Sequence, residues 1–259
     1  MKMVSLVEKS EDIVIPRVLH LCYSDTSRVP GEVWSNIRDA CEGYDIRIYD
    51  DEMCGEYIER ECGVQLAGVY NKILTPDHRR DMFKYCVLYN EGGVYIDLKT
   101  IPRVPFAEVF DHFAHNRLYT CLGTRPHINQ GILATYRRNP FIATLIQDFI
   151  TAPESVTDVQ STKNMASFTY FTDKFYTNLE KLLGYEPAPG VNYVPTTADP
   201  REAGSARQMF VLFEERKELH ISDKGYHKDG PWQVFGGGSD IAGCSDQRLF
   251  TTRYKDFPW

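Results

Sequence analysis

Apolar and polar positions in the first quarter of the chain alternate between two periods, which predicts strands and helices in turn. Apolar residues either run almost continuously, as in a strand covered on both faces, or recur at helical spacing. Gly43 marks the end of one helix, and the Asp50-Asp51 pair marks the start of the next. The predicted order is a strand at 15–23, a helix at 32–42, a strand at 44–49 and a helix at 52–62. This alternation favours an α/β fold with a mostly parallel sheet flanked by helices.

The segment from Thr75 to Thr100 has the clearest local pattern. Thr75-Pro76 is an N-cap followed by proline at the first helical position, and Gly92-Gly93 ends the helix. The short apolar run 94–96 then predicts a strand that delivers Asp97 at its carboxyl end. Ligands of α/β sheets bind outside the carboxyl ends of strands, so Asp97 is a candidate binding residue. The alternative is an ordinary surface acid at a strand end.

Patterns beyond residue 117 are weaker and predict fewer elements. They are a strand at 118–122, a helix at 140–151 capped by Asn139, an aromatic-rich helical stretch at 162–184, a Gly- and Pro-rich loop region at 185–204 and a strand at 210–213. No repeat or low-complexity boundary divides the chain. We therefore expect a single domain over 1–259, with a loose lead-in at 1–14 and a polar, glycine-rich C-terminal segment at 222–259.

Composition and charge exclude several classes of protein. A net charge of −7 without a dense Lys/Arg stripe argues against a nucleic-acid partner. No apolar run is long enough for a transmembrane helix, and the N-terminus does not resemble a secretory signal, so no integral membrane anchor is expected. Seven cysteines without a CxxC pair indicate reduced, mostly buried thiols and a cytoplasmic location rather than a zinc site. The many aromatic residues are expected mainly in the core.

A set of residues between Arg80 and Thr100 stands at a characteristic spacing: Asp81, Tyr85, Leu88, Gly92, Gly93, Tyr95 and Asp97. In this register the run resembles the DXD-motif sugar-transferase family, which includes the glucosylating domains of large clostridial toxins and yeast initiating mannosyltransferases. The segments 15–23, 44–52 and 227–232 and Trp34 are similar to further elements of that family. The resemblance implies a glycosyltransferase A-type, Rossmann-like fold and a nucleotide-sugar site.

The resemblance also implies which residues bind the nucleotide sugar. They are Leu21, Tyr23, Asp81, Tyr95, Asp97, Asn129, Gln130 and Trp232. Tyr23 matches the aromatic residue that stacks on the base, a contact worth about 1–3 kcal/mol in other systems. Asp81 matches an acid at the ribose or sugar, and Trp232, in the C-terminal segment, matches an aromatic that closes over the diphosphate. Alternatives stay open: a strand-end tyrosine, a helix-capping Asp81 and a turn asparagine at Asn129.

Two lysines depart from the family pattern, and both bear on catalysis. Lys84 replaces an arginine and keeps the charge but loses the bidentate fork. Lys99 replaces the second acid, which in the family binds Mn²⁺ or Mg²⁺, and a protonated lysine cannot ligate a metal. The catalytic candidates are therefore Asp97, Lys84 and Lys99, with Arg79 as a further cation, and the expected metal ligands are Asp97 and His227.

The replacement of the second acid by Lys99 leaves three possibilities for the site. In the first, Asp97, His227 and the diphosphate hold a Mn²⁺ or Mg²⁺ ion weakly. In the second, Lys99 itself neutralises the diphosphate, and in the third, the Lys99 side chain points away from the site. Strand alternation places Asp97 and Lys99 on the same face, so the third arrangement requires a twist.

We expect a glycosyltransferase, hexosyl or pentosyl, that moves sugar from a nucleoside-diphosphate sugar to a glycan, protein or other hydroxyl acceptor. A uridine diphosphate donor and retention of configuration are favoured. The alternatives are a catalytically silent nucleotide-sugar-binding module and a metal-independent inverting transferase, whose base would be Asp223 or Asp229. The expected setting is the cytoplasm, in a protein of bacterial or viral origin.

Overall fold

The computed structural model describes residues 13–110, 112–113, 115–123, 126–151, 170–195, 208–218, 221–222, 225–226, 232–236 and 248–252. The helices are α1 (Gly31–Ala40), α2 (Asp51–Lys72), α3 (Pro76–Glu91), α4 (Phe106–Val109), α5 (Pro140–Thr151) and α6 (Tyr170–Leu183). The strands are β1 (Val18–Cys22), β2 (Asp45–Tyr49), β3 (Gly93–Ile96), β4 (Thr100–Pro102), β5 (Arg117–Leu122), β6 (Ile128–Thr135), β7 (Gly190–Tyr193), β8 (Met209–Glu218), β9 (Ile221–Ser222), β10 (Gly225–Tyr226), β11 (Trp232–Gly236) and β12 (Arg248–Thr252).

One large sheet organises the molecule, in the order β2-β1-β3-β6-β5-β8-β11-β12-β4, with β7 beside β8. Strands β2, β1, β3, β5 and β8 run in one direction, and β6 is reversed between β3 and β5. Beyond β8 the strands β11, β12 and β4 pair antiparallel. The predicted α/β class with a mostly parallel central sheet is therefore confirmed, and an antiparallel extension adds to it.

Helix starts follow the capping chemistry expected from the sequence. The Asp50 carboxylate accepts a hydrogen bond from the backbone N–H of Met53 at 2.8 Å, and Asn139 Oδ1 accepts one from Phe141 N at 2.9 Å. Helix α3 begins at Pro76 as predicted, although Thr75 makes no side-chain capping bond there. The chain thus enters the central helix through the fixed backbone of proline.

Several elements differ from the sequence-based expectation. Helix α2 continues to Lys72 because Gly63, at φ 81°, carries the chain through a kink instead of ending it. Strand β6 has no predicted counterpart, since Asn129, Gln130 and Gly131 interrupt its apolar run. Strands β4, β7 and β9 to β12 were also not predicted. Of the helical stretch predicted at 162–184, residues 162–169 lie outside the described residues, and α6 confirms most of the remainder.

Two apolar cores cover the faces of the sheet. One packs α2, α3, α5 and α6 against the sheet, and the other packs α1 and α4. Buried rings fill both cores, for example Phe149 stacked on Phe171 at 3.8 Å and Phe106 edge-on to Phe110 at 5.4 Å. The aromatic residues therefore serve mainly as core, as predicted.

The double glycine fixes how closely β3 lies beside β1. At Gly93, with φ 101°, a Cβ atom would lie 2.5 Å from the carbonyl oxygen of Val18, so no other residue fits without a shift. His20, buried on β1, bonds the Gly92 carbonyl oxygen through Nε2 at 3.0 Å. These contacts hold the start of β3 and so set where its carboxyl end, and Asp97, come to lie.

The described cysteines are free thiols, five of them buried, as the sequence predicted. Within the described part of the chain, no helix has the length and apolar character needed to cross a bilayer.

Candidate functional site

The candidate site lies at the carboxyl ends of β1 and β3. These strands are parallel neighbours, with His20 beside Tyr95. Tyr23 directly follows β1, and its backbone N–H donates to the carbonyl oxygen of Tyr49 at 3.0 Å. Asp97 directly follows β3. Tyr23 and Asp97 therefore sit at the same edge of the sheet, which is where α/β proteins bind ligands.

A tight turn after β3 brings Lys99 back to Asp97. The Asp97 backbone N–H donates to the Gly131 carbonyl oxygen at 2.9 Å, and Thr100 N donates to the Asp97 carbonyl oxygen at 2.8 Å. Lys99 Nζ then lies 3.6 Å from Asp97 Oδ2, and both side chains are partly open to solvent. The Lys99 side chain therefore does not point away from Asp97. Strand β3 ends at Ile96, so the alternation of side chains along a strand does not decide the orientation of Lys99.

Lys84 is a buried cation that holds Asp81. Its Nζ donates to Asp81 Oδ1 at 3.0 Å and to the Gln130 carbonyl oxygen at 2.9 Å, and it lies 4.8 Å from the centre of the Tyr95 ring. The side chain is only 3% exposed, whereas that of Asp81 is 23% exposed. Lys84 would have to leave these partners to contact a ligand, so its geometry favours positioning Asp81 over direct catalysis.

Strand β6 contributes the wall opposite Asp97. Asn129 Oδ1 accepts a hydrogen bond from Gly131 N at 3.0 Å. A Cβ atom on Gly131 would lie 3.1 Å from Asn129 Oδ1 and 3.3 Å from Asp97 Oδ2, so this glycine leaves room between two polar side chains. Asn129 belongs to a strand and not to a turn.

Gln130 is held by the helix on the other side of β6. Its Oε1 accepts a hydrogen bond from the Tyr85 hydroxyl at 2.6 Å. Its buried Nε2 has no hydrogen-bond partner among the described residues. The carboxamide is therefore fixed at one end and has a free donor at the other.

Two predicted binding side chains lie below the surface of the site. Leu21 is fully buried, because β1 is covered on both faces. Tyr95 is also buried, and its ring supports Lys84 from beneath. Burial, reinforced by the Asp97 charge, raises the pKa of Tyr95 well above its usual value. Binding of the nucleotide sugar by Leu21 and Tyr95 stays a prediction, and both residues lie in the core beneath the edge of the sheet.

The neighbouring arginines, Arg79 and Arg80, face different parts of the molecule. Arg79, predicted as a further cation, donates from Nε to the Ile73 carbonyl oxygen at 2.6 Å and lies over the Tyr70 ring, on the connection between α2 and α3. It is therefore not placed beside Asp97. Arg80, which the sequence did not single out, pairs with Asp77 at 2.9 Å and with Asp51 at 3.4 Å, and so links the starts of α2 and α3.

The C-terminal contribution to the site stays a prediction. His227 lies outside the described residues, as do Asp223 and Asp229. Trp232 begins β11, opposite Glu218 of β8, but its side chain is not described.

The described side chains do not fit a divalent cation. In the described part of the chain, no three His, Cys, Asp or Glu side chains are grouped to hold a metal. Mn²⁺ and Mg²⁺ need several oxygen ligands, and Asp97 offers one carboxylate. The ammonium group 3.6 Å from Asp97 Oδ2 would repel a cation bound to that oxygen. The expected Mn²⁺ or Mg²⁺ would depend on His227 and on the substrate itself.

The segment that carries these residues is similar in sequence to known proteins. Residues 32–117 match the family described as glycosyltransferase sugar-binding region containing DXD motif. The chain is 34% identical over 89 residues to mannosyl phosphorylinositol ceramide synthase SUR1 of Saccharomyces cerevisiae. That alignment covers 33% of this chain and 22% of the yeast protein, so the chain matches about a fifth of its relative's length.

Among solved structures, PaToxG Glycosyltransferase is similar at a TM-score of 0.47 and 14% identity, over 65% of this chain and 70% of that one. The family match is local, and it contains Asp81, Lys84, Asp97 and Lys99. Residues 32–117 of the chain are thus similar to the sugar-binding region of DXD-motif glycosyltransferases.

Proposed function

We propose that this protein transfers a sugar from a nucleoside-diphosphate sugar to a hydroxyl group of a glycan or protein acceptor. The observation that carries the proposal is the position of Asp97. It directly follows β3, at the edge of the sheet where ligands of α/β proteins bind, within the segment that matches the family. Asp81 and Asn129 offer further polar atoms around the same place.

The donor is proposed to lie across the ends of β1 and β3. Tyr23 supplies a ring for the base at the end of β1, while Asp97 and Asn129 offer oxygen atoms to ribose or sugar hydroxyls. We favour a uridine diphosphate sugar, carrying a hexose or a pentose. The buried Lys84 keeps Asp81 in one orientation, which favours a defined pose of the donor.

The chemistry requires charge to be stabilised on the leaving group. Glycosyl transfer passes through an oxocarbenium-like state while the nucleoside diphosphate gains negative charge. Cations aimed at that charge are the largest expected catalytic contribution. We propose retention of configuration, in which the leaving phosphate takes the proton of the acceptor. An inverting reaction would instead need a carboxylate base, for which Asp223 and Asp229 are the candidates.

Replacing Asp97 tests this function directly. Asp97→Ala removes the carboxylate at the end of β3 and leaves Lys99 without its partner. We expect nucleotide-sugar hydrolysis and transfer to fall by about 100-fold or more, as for other groups that act on the transition state. The measurement is turnover of a panel of uridine and guanosine diphosphate sugars, with thermal unfolding as a check on folding.

The panel also separates the alternatives. An unchanged rate in Asp97→Ala would show that the site lies elsewhere. Binding of a nucleotide sugar by the wild type, without hydrolysis or transfer to any acceptor, would favour the silent binding module.

We also propose a cytoplasmic setting, supported by the buried free thiols, because a reducing compartment keeps such groups unpaired.

A further inference from the structure

We propose that the ammonium group of Lys99 takes the place of the divalent cation, so that the protein binds and cleaves its donor without a metal. The inference rests on the proposed function and concerns the same site. It starts from the pair formed by Lys99 and Asp97, whose Nζ and Oδ2 atoms lie 3.6 Å apart. The turn closed by Thr100 fixes this approach through the backbone.

Accessibility distinguishes Lys99 from Lys84. Lys84 is 3% exposed, and its ammonium already has a carboxylate, a carbonyl oxygen and a ring as partners. Lys99 is 44% exposed and contacts Asp97 at a distance longer than a good hydrogen bond. Its ammonium has three donors, so it can keep Asp97 and still donate to a phosphate oxygen. Of the two lysines, Lys99 is the one a diphosphate can reach.

The charge of the site supports the same conclusion. Asp81, Lys84, Asp97 and Lys99 carry two negative and two positive charges, which sum to zero. With an arginine and a second acid in place of the lysines, as in the family pattern, the same positions would sum to −2. One divalent ion offsets that sum. Exchanging an acid for lysine changes the charge by two units, which equals the charge of the ion.

The proposed step balances without any further reactant. The bond between sugar C1 and the diphosphate oxygen breaks, and its electron pair stays on that oxygen, which accepts a hydrogen bond from Lys99. The acceptor oxygen forms the new bond to C1, and its proton passes to the released diphosphate. In donor hydrolysis, water replaces the acceptor. Lys99 stays protonated throughout, so its role is electrostatic and not that of an acid.

The first experiment measures nucleotide binding by titration calorimetry, with UDP and GDP as probes, in EDTA and in Mn²⁺. We expect the wild type to bind one of them in EDTA, and Lys99→Met to bind it about 10- to 100-fold more weakly, the loss typical of a charge-assisted hydrogen bond. Lys99→Arg should keep most of the affinity. The matched control is Lys181→Met, the same change at an exposed lysine of α6, which should bind like the wild type.

The second experiment exchanges lysine for the acid of the family pattern. Lys99→Asp should lose donor hydrolysis in EDTA and regain it when Mn²⁺ is added, whereas wild-type hydrolysis should not change with EDTA. Wild-type binding or turnover that requires Mn²⁺ would overturn the proposal for Lys99 and leave the proposed function standing. Failure of the wild type to bind either nucleotide, with or without Mn²⁺, would instead reject the proposed function and this inference with it.

Discussion

At the scale of single residues, the candidate site contains two Asp–Lys pairs that differ in burial. Asp81 and Lys84 are 3.0 Å apart on one face of α3, and the lysine is buried. Asp97 and Lys99 are 3.6 Å apart in an open turn. Partners in a buried pair depend on each other for stability, whereas an exposed pair contributes little. Lys84 should therefore matter for folding and Lys99 for ligand binding.

Replacing each lysine by methionine separates these roles. Lys84→Met leaves the Gln130 carbonyl oxygen and the Asp81 carboxylate without their buried donor. We expect the free energy of unfolding to fall by about 2 kcal/mol, since Asp81 is still reached by water. Lys99→Met should change it by less than about 0.5 kcal/mol. Urea denaturation measures both, and equal effects of the two substitutions would contradict these assignments.

The residues of the site differ in how far the sequence reveals them. Asp81, Asp97 and both lysines follow from spacing and from the family resemblance, because a helix, a double glycine and a short strand fix their order. The pairing of Lys99 with Asp97 does not follow, since it depends on a turn that ends the strand at Ile96. The burial of Tyr95 beneath Lys84 also needs the packing of α3 on the sheet.

At the scale of elements, the junction of β1 with β3 positions the site. Gly93 allows the strands to approach, and His20 of β1 bonds the Gly92 carbonyl oxygen. His20 is buried, and this burial lowers its pKa to about 4. The folded protein therefore keeps the imidazole neutral at a pH at which the unfolded chain protonates it.

This histidine should make stability depend on pH in a defined window. The pKa in the folded state lies below the unfolded value of about 6.5, so the unfolded chain binds the extra proton as the pH falls. The free energy of unfolding should decrease between about pH 6.5 and pH 4, by about 3 kcal/mol in total. In His20→Gln, whose amide still donates to Gly92, this part of the dependence should disappear. Parallel stability curves for the two proteins would contradict the prediction.

Strand β6 illustrates why the sequence pattern does not predict every strand. Asn129, Gln130 and Gly131 lie within the strand, and the Gly131 carbonyl oxygen accepts a hydrogen bond from the backbone N–H of Asp97. Polar residues and glycine are typical of loops, so the sequence pattern points the wrong way. Residues that we propose to bind the donor interrupt a structural signal here, which is common at functional sites.

At the scale of the whole molecule, the sheet joins two kinds of strand pairing. The half built from β2, β1 and β3 follows from alternating strands and helices in the sequence. The extension through β11, β12 and β4 does not, because its strands are short and pair over long sequence separations, and because β11 and β12 lie in a polar, glycine-rich region. Strand β12 pairs with β4, the strand that begins directly after Lys99.

The net charge of the whole molecule differs from the charge of the candidate site. The chain carries a net charge of −7, which by itself repels a nucleoside diphosphate. The four side chains of the two Asp–Lys pairs sum to zero, so the site is less negative than the molecule around it. A donor is therefore expected to bind at this edge of the sheet and not on the acidic remainder of the surface.

A crystal structure with a bound uridine or guanosine diphosphate sugar would show directly whether the donor lies at this edge of the sheet. We expect a base at Tyr23, a sugar beside Asp97 and Asn129, and a phosphate oxygen within about 3 Å of Lys99 Nζ. A nucleotide sugar bound away from the carboxyl ends of β1 and β3, with Asp97 and Lys99 still paired only with each other, would contradict it.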